Sequence, residues 1–283
     1  MDFSRRFGGL ERLYGLAGAQ RIYAAHVVVV GIGGVGSWAV EALARSGVGH
    51  LTLIDLDHVS ESNINRQVHA LDGTLGQAKV QAMRERIAQI NPDCQVTCVE
   101  EFVEPGNWPR LLSDRAFAQN LAGQNGGADK CIFAVIDACD QVRAKTAMAA
   151  WAIQSKTPFI SVGAAGGKRH AHLVDIDDLS RATHDPLLAQ MRNRLRKQHG
   201  APREGKKIGV TCVFSREAVM RPDASCAVPN ENESENTGDG SLNCHGYGSV
   251  VSVTATFGQC AAGWLMDQIS RAGPPDRKND AII

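Results

Sequence analysis

Four consecutive valines, Val27–Val30, run without a polar interruption into a glycine-rich turn, and apolar positions then recur at helical spacing. A continuous apolar run bounded by turn residues predicts a strand buried on both faces, and the 3.6-residue recurrence after it predicts a helix. The pattern therefore gives a helix ending over Gln20 to Ala25, a strand from His26 to Val30, a helix from Ser37 to Ser46 and a second strand from His50 to Asp55. Lys79 to Ile90 has a helical apolar stripe that Asn91-Pro92 stops, because a residue before proline is driven out of the α region. "CQVTCVEEF", "CIFAVIDACD" and "PFISVGAAG" predict three further strands, and "VRAKTAMAAWAIQS" a helix between the last two.

This alternation from Val27 to Val162 gives the fold class: α/β, Rossmann-like, a mostly parallel twisted sheet flanked by helices, with its ligand at the carboxyl ends of the strands. The expected organisation is a single domain over 1–283. Residues 1–165 form a nucleotide-binding half, and 166–283 a substrate half whose extension completes the sheet and carries a mobile loop at 230–240, "NENESENTGDG". From Ser241 to Met266 there is no Asp, Glu, Lys or Arg, a length that would suit a membrane span. His245, Gln259 and the dense Gly, Ser and Thr argue for buried core instead, so no transmembrane span is expected. The β-branched "SVVSVTATF" predicts a buried strand, or an element leading into a helix over "GQCAAGWLMDQI".

Thirty basic and thirty acidic residues leave no net charge, so a polyanionic partner has to be held by a local patch. Eight scattered cysteines, with no apolar segment before the first strand, give a cytoplasmic expectation with reduced thiols.

The chemistry gathers around the first turn. Gly31, Gly33 and Gly36 satisfy G-x-G-x-x-G, and Asp55 follows at about the 20-residue spacing at which an acid meets a ribose hydroxyl. Taken alone this suggests NAD, although such glycines can also serve only to pack a tight turn. The segment after the second strand changes the picture: Arg66 and Lys79 stand beside Asn63, Asn65 and Gln67, a supply of cations and amides suited to a triphosphate.

"GIGGVG", "LIDLDHVSESNINRQ", "GQAK" and "IDACD" together resemble the ubiquitin-activating-enzyme-like adenylyltransferases, in the order and spacing of that family over about the first 165 residues. The resemblance implies that ATP and Mg²⁺ bind and that a substrate carboxylate is adenylated with loss of pyrophosphate. It implies that Gly31, Gly33, Gly34 and Gly36 form the phosphate-facing turn and that Asp55 takes the ribose. Asn63, Arg66 and Lys79 would contact phosphates, with Gln67 beside them, and Asp140 would bind the magnesium with Asp137 close by. Arg6 and Arg12 precede the first strand, where the family places a basic residue that reaches the ATP of a partner subunit, so a homodimer is expected.

The C-terminal half, with "GAAGG", "DPLLAQMRNRLRK", "GVTCVFSREAV", "SCAVP" and "GSVVSVTATFG", resembles the tRNA threonylcarbamoyladenosine dehydratase branch of that family. That branch implies a tRNA carrying threonylcarbamoyladenosine as substrate and cyclisation of its threonylcarbamoyl group as the reaction. Other members activate a ubiquitin-like sulfur carrier and commonly hold zinc with two C-x-x-C pairs. No C-x-x-C occurs in this sequence, so zinc is not expected. A sulfur-transfer protein remains a candidate partner, and Cys226 is by position the candidate for a thioester-forming cysteine, although no neighbour in the sequence obviously activates it. An NAD-dependent oxidoreductase would leave the Asn-Arg-Gln and Gly-Gln-Ala-Lys segments unexplained. "MRNRLRKQHGAPREGKK" holds Arg192, Arg194, Arg196, Lys197, Arg203, Lys206 and Lys207 against one acid, Glu204, a density suited to a phosphate backbone or to a solvated surface.

Overall fold

The computed structural model describes residues 2–113, 133–203, 205–220 and 247–272. Cys226, the 230–240 loop and nearly all of the 113–130 insertion lie outside the described residues. The first half runs α1 (Phe3–Ala24), β1 (His26–Val30), α2 (Gly36–Arg45), β2 (His50–Ile54), α3 (Lys79–Ile90), β3 (Gln95–Val99), the short α4 (Arg110–Ser113), β4 (Phe133–Asp137), α5 (Val142–Ser155) and β5 (Phe159–Val162). The second half adds β6 (Val174–Asp178), α6 (Pro186–Gln198), β7 (Thr211–Ser215) and α7 (Val251–Arg271). Seven strands form one sheet in the order β3-β2-β1-β4-β5-β7-β6, all parallel except β6, which pairs antiparallel with β7 at the edge. The C-terminal extension thus completes the sheet.

The uninterrupted valines follow from burial on both faces. Val27 and Val29 point into a core with Ile22, Leu43, Met83 and Phe257, whereas Val28 and Val30 point into another with Met148, Leu188 and Phe214. Removing each such side chain from water contributes about 1.5–3 kcal/mol, so a polar residue in place of any of these four valines would cost one layer its packing.

Two elements differ from the sequence reading. Helix α1 extends back to Phe3, with the Asp2 side chain accepting from the Arg5 N–H at its start and a kink at Gly15, whose φ is 72°. The "SVVSVTATF" stretch is not a strand: from Val251 it is the first third of α7. Val253, Thr254, Phe257, Gly258, Ala261, Ala262 and Leu265 are buried at helical spacing, and burial against α2 and the sheet outweighs the weak β preference of the branched residues. Among the described residues no helix is long and apolar enough to cross a membrane.

Candidate active site

The strand order reverses between β1 and β4, and a crevice opens there at the carboxyl ends of the strands. It holds a cavity of about 480 Å³, within the usual range for a small-molecule site. Gly31 leaves β1 with φ 84°, and a Cβ there would stand 2.8 Å from the Ala138 carbonyl. Gly36 is set back from the cavity, and a Cβ on it would overlap the Gly31 carbonyl oxygen. These two glycines let the turn fold onto itself, while Gly33 and Gly34 face the cavity. No side chain caps α2 at Val35, so the positive end of its dipole is open toward the same space.

Asp55, just past β2, is buried and braces this turn. Its Oδ2 accepts the Ile32 N–H at 2.6 Å and its Oδ1 the Asp57 N–H at 2.9 Å. Burial raises its pKa above the ordinary carboxylate value, opposed by Lys79 and by those two N–H groups. The remaining lone pairs of each oxygen can still accept from hydroxyls of a ligand. Lys79 opens α3, and its ammonium makes a 2.7 Å ion pair with Asp57. Arg66 is held by its neighbours, donating to the Ser62 carbonyl at 2.7 Å and to Asn65 Oδ1 at 2.8 Å, while Trp38 donates to its carbonyl. Asn63 and Gln67 are buried in the cavity wall, and among the described residues Gln67 Oε1 has no donor. That orphaned acceptor, in a cavity that Arg66, Lys79 and the open glycines also line, fits a polar ligand.

Asp140 faces the cavity from the turn after β4. The N-cap of α5 is Gln141, not Asp140, and among the described residues no hydrogen bond or ion pair engages the Asp140 carboxylate. It is therefore available to a cation. Asp137 is placed otherwise. Its carboxylate is fully buried behind the cavity wall, paired with Lys145 at 2.9 Å and accepting from Ser161 Oγ at 2.6 Å. Burial would lower the Lys145 pKa, but the Asp137 carboxylate together with the Cys139 and Cys212 thiols raises it. Lys145 also donates to the Cys139 carbonyl at 3.0 Å, so the pair fixes the turn that carries Asp140. Arg6 and Arg12 lie on α1 and are exposed. Arg6 donates to the Ile90 carbonyl at 2.6 Å, and neither residue lines the cavity of its own chain.

The sequence reading missed contributors from three segments. Asp57 shares the "DLD" motif with Asp55, and its alternation with that acid was the available signal. Glu101, Phe102 and Val103 wall the cavity after β3, and Tyr247, Ser249 and Thr254 reach it from the C-terminal segment. Nothing local in the sequence marks them. The described cysteines are ordinary thiols. Burial raises Cys94 to about 12 and Cys98 to about 11, and raises Cys139, Cys212 and Cys260 as well.

A family model described as the ThiF family matches residues 4–282. The chain belongs to the ThiF family. It is 44% identical over 259 residues to a tRNA threonylcarbamoyladenosine dehydratase of Escherichia coli (strain K12), covering 90% of this chain and 89% of that protein. It is 39% identical over 272 residues to the Haemophilus influenzae protein of the same name, covering 95% and 94%. The crystal structure of the E. coli dehydratase in complex with ATP matches with a TM-score of 0.78 at 39% identity, over 96% of this chain and 99% of that one.

Proposed function

We propose that this ThiF-family chain is an ATP-dependent tRNA threonylcarbamoyladenosine dehydratase. The observation that carries the reading is the convergence of Arg66, Lys79 and Asp140, from three separate segments, on one cavity with Asp55, in a chain similar along nearly its whole length to dehydratases of that name. Asp55 would receive the ribose, and Gly33, Gly34, Asn63, Arg66, Gln67 and Lys79 the phosphates. Asp140 would hold magnesium, which when bound neutralises phosphate charge.

The threonylcarbamoyl group ends in a carboxylate, and hydroxide is too poor a leaving group for direct ring closure. A carboxylate oxygen attacks the α-phosphorus, the bond to the β-phosphate breaks, and pyrophosphate leaves. Arg66 and Lys79 stabilise the charge that develops on the phosphate oxygens in this transition state. The carbamoyl group then attacks the acyl carbon, AMP departs and a proton is lost, so the modified base has lost one water. The second attack is intramolecular and gains from proximity. Each copy would be completed by Arg6 and Arg12 of a second copy in a homodimer, and a tRNA substrate fits a cytoplasmic location.

The test is incubation of the purified protein with ATP, magnesium and tRNA bearing threonylcarbamoyladenosine, followed by mass spectrometry of the nucleosides. ATP-dependent conversion of the linear to the cyclic nucleoside is expected. Pyrophosphate release with no cyclic product would refute the substrate assignment.

A further inference from the structure

Beside the cavity, on the same carboxyl edge of the sheet, three segments meet. Gly166, Val219 and Tyr247 line the cavity, and the segments they belong to are tied together: the Gly167 N–H donates to the Gly248 carbonyl at 3.0 Å, and the Met220 N–H donates to the Gly167 carbonyl at 2.9 Å. The next residues, Arg169 to His172, form an exposed arm that leads into β6. His170 and His172 set their rings nearly edge to face with centroids 5.7 Å apart, and the Arg169 guanidinium lies against the Met220 sulfur.

This exposed arm stands on buried ionic groups. Glu217 is nearly buried. Its carboxylate accepts the N–H groups of Arg169 at 2.9 Å and His170 at 2.8 Å, and pairs with His170 Nδ1 at 3.0 Å. Lys168 is 2% exposed, and its ammonium donates to the carbonyls of His184, at 2.8 Å, and Glu217. Burying an ammonium and a carboxylate carries a desolvation penalty that their contacts have to offset, and the mechanism above uses neither group. What they accomplish is to fix the backbone of Arg169 and His170 and the His170 ring, against which the His172 ring packs, beside the segments of Gly166 and Val219 that line the cavity.

We propose that the Arg169–His172 arm is the docking platform for single-stranded RNA nucleotides that flank the reacting adenosine. The inference rests on the tRNA reading above and names which part of the RNA meets this edge. Imidazole faces and a guanidinium plane are the groups on which unstacked bases settle, and such stacking tolerates any base. A duplex would offer only phosphates here, since its base faces are covered. The platform is also continuous with the cavity, so a base seated in the cavity brings its chain neighbours onto the arm.

The experiment compares wild type with Arg169→Ala and His172→Ala, leaving the anchored His170 in place. Binding is followed by fluorescence anisotropy with two RNAs of equal length, an anticodon stem-loop and a perfect duplex, and ATP binding by calorimetry reports an intact fold. Each variant is expected to lose roughly tenfold in affinity for the stem-loop while the duplex affinity stays within about twofold. Unchanged stem-loop affinity, or equal losses on both RNAs, would overturn the platform. Wild-type protein that prefers the stem-loop yet never cyclises modified tRNA would refute the dehydratase reading and leave the platform standing.

Discussion

Lys79 already has a carboxylate at 2.7 Å, on Asp57, which holds the ammonium in place and leaves its other N–H donors for a triphosphate. Arg66 is likewise bonded to its own loop, which fixes the guanidinium at the cost of freedom rather than of charge. Preorganised charges of this kind act on the transition state. Arg66→Ala, Lys79→Ala and Asp140→Ala are each expected to slow pyrophosphate release by about 10² to 10³, measured with a coupled phosphate assay. A variant within about twofold of wild type would remove that residue from its assigned role. Cys226→Ser is expected to retain cyclisation, because an acyl-adenylate is reactive without a thioester and the attacking group is on the same molecule. Single-turnover assays on modified tRNA check this, and normal pyrophosphate release with no cyclic product would make the thiol essential.

At the scale of elements, α6 joins the cavity to the basic stretch. Pro186 and Leu187 line the cavity, and Lys197 stands about 16 Å further along the axis at about 1.5 Å per residue. Asp185 caps the helix by accepting the Leu188 N–H and holds the Ala164 N–H with its other oxygen, so the helix start and the loop after β5 move as one. The arginines on α6 are not equivalent. Arg192 donates to the carbonyls of Leu179 and Ala182, a structural role that the charge pattern alone does not reveal. Neutralising Arg194, Arg196 and Lys197 is expected to lower the slope of log affinity for tRNA against log salt by roughly 0.7–0.9 for each phosphate that no longer meets a cation. An unchanged slope would make the stretch ordinary surface. Arg192→Ala is expected to lower the melting temperature instead.

How much of this was legible in the sequence follows from how local each signal is. Strands β1, β2, β4 and β5 and helices α3 and α5 stood out because apolar runs and helical stripes are carried by consecutive residues. The turn glycines, Asp55, Arg66 and Lys79 were legible for the same reason. Helix α1 was read only at its end, because it is rich in glycine and buries only Phe7, Gly18, Ala19 and Ile22, leaving no apolar stripe to see. The start of α7 fits both a strand and a lead into the helix, and what decides between them, burial against α2, is a tertiary fact. Lys145 carries no signal in the sequence, since its partner Asp137 belongs to another element.

For the whole molecule, two buried imidazoles set a pH dependence. Burial, with a smaller contribution from His50, lowers His26 to about 4, and burial with Lys79 and Arg86 lowers His69 to about 4. Both lie below the ordinary value near 6.5, so the unfolded chain binds more protons in the window between. Their contribution to stability is complete above about pH 6.5 and falls with pH, by about 2 kcal/mol each at about pH 5. Melting temperatures across that interval are expected to drop, and a flat profile would show that the rings are not held neutral.

The cavity is lined by residues from Val30 near one end of the chain to Thr254 near the other, and the helix that supplies Thr254 packs on both α1 and α2. At roughly 5–20 residues per second, a ribosome delivers the first of these well before the last, and domains begin to fold from the N-terminal side as they emerge. Arg66 and Lys79 are therefore made long before α7. Without α7 the turn at Gly34 loses the Thr254 methyl group that lies against it, and the face of α2 that packs on α7 has nothing to rest on. A chain halted before Val251 is expected to show no saturable ATP binding in calorimetry, and micromolar binding by such a fragment would contradict this. On that outcome synthesis itself acts as a safeguard, since an unfinished chain would hold no ATP.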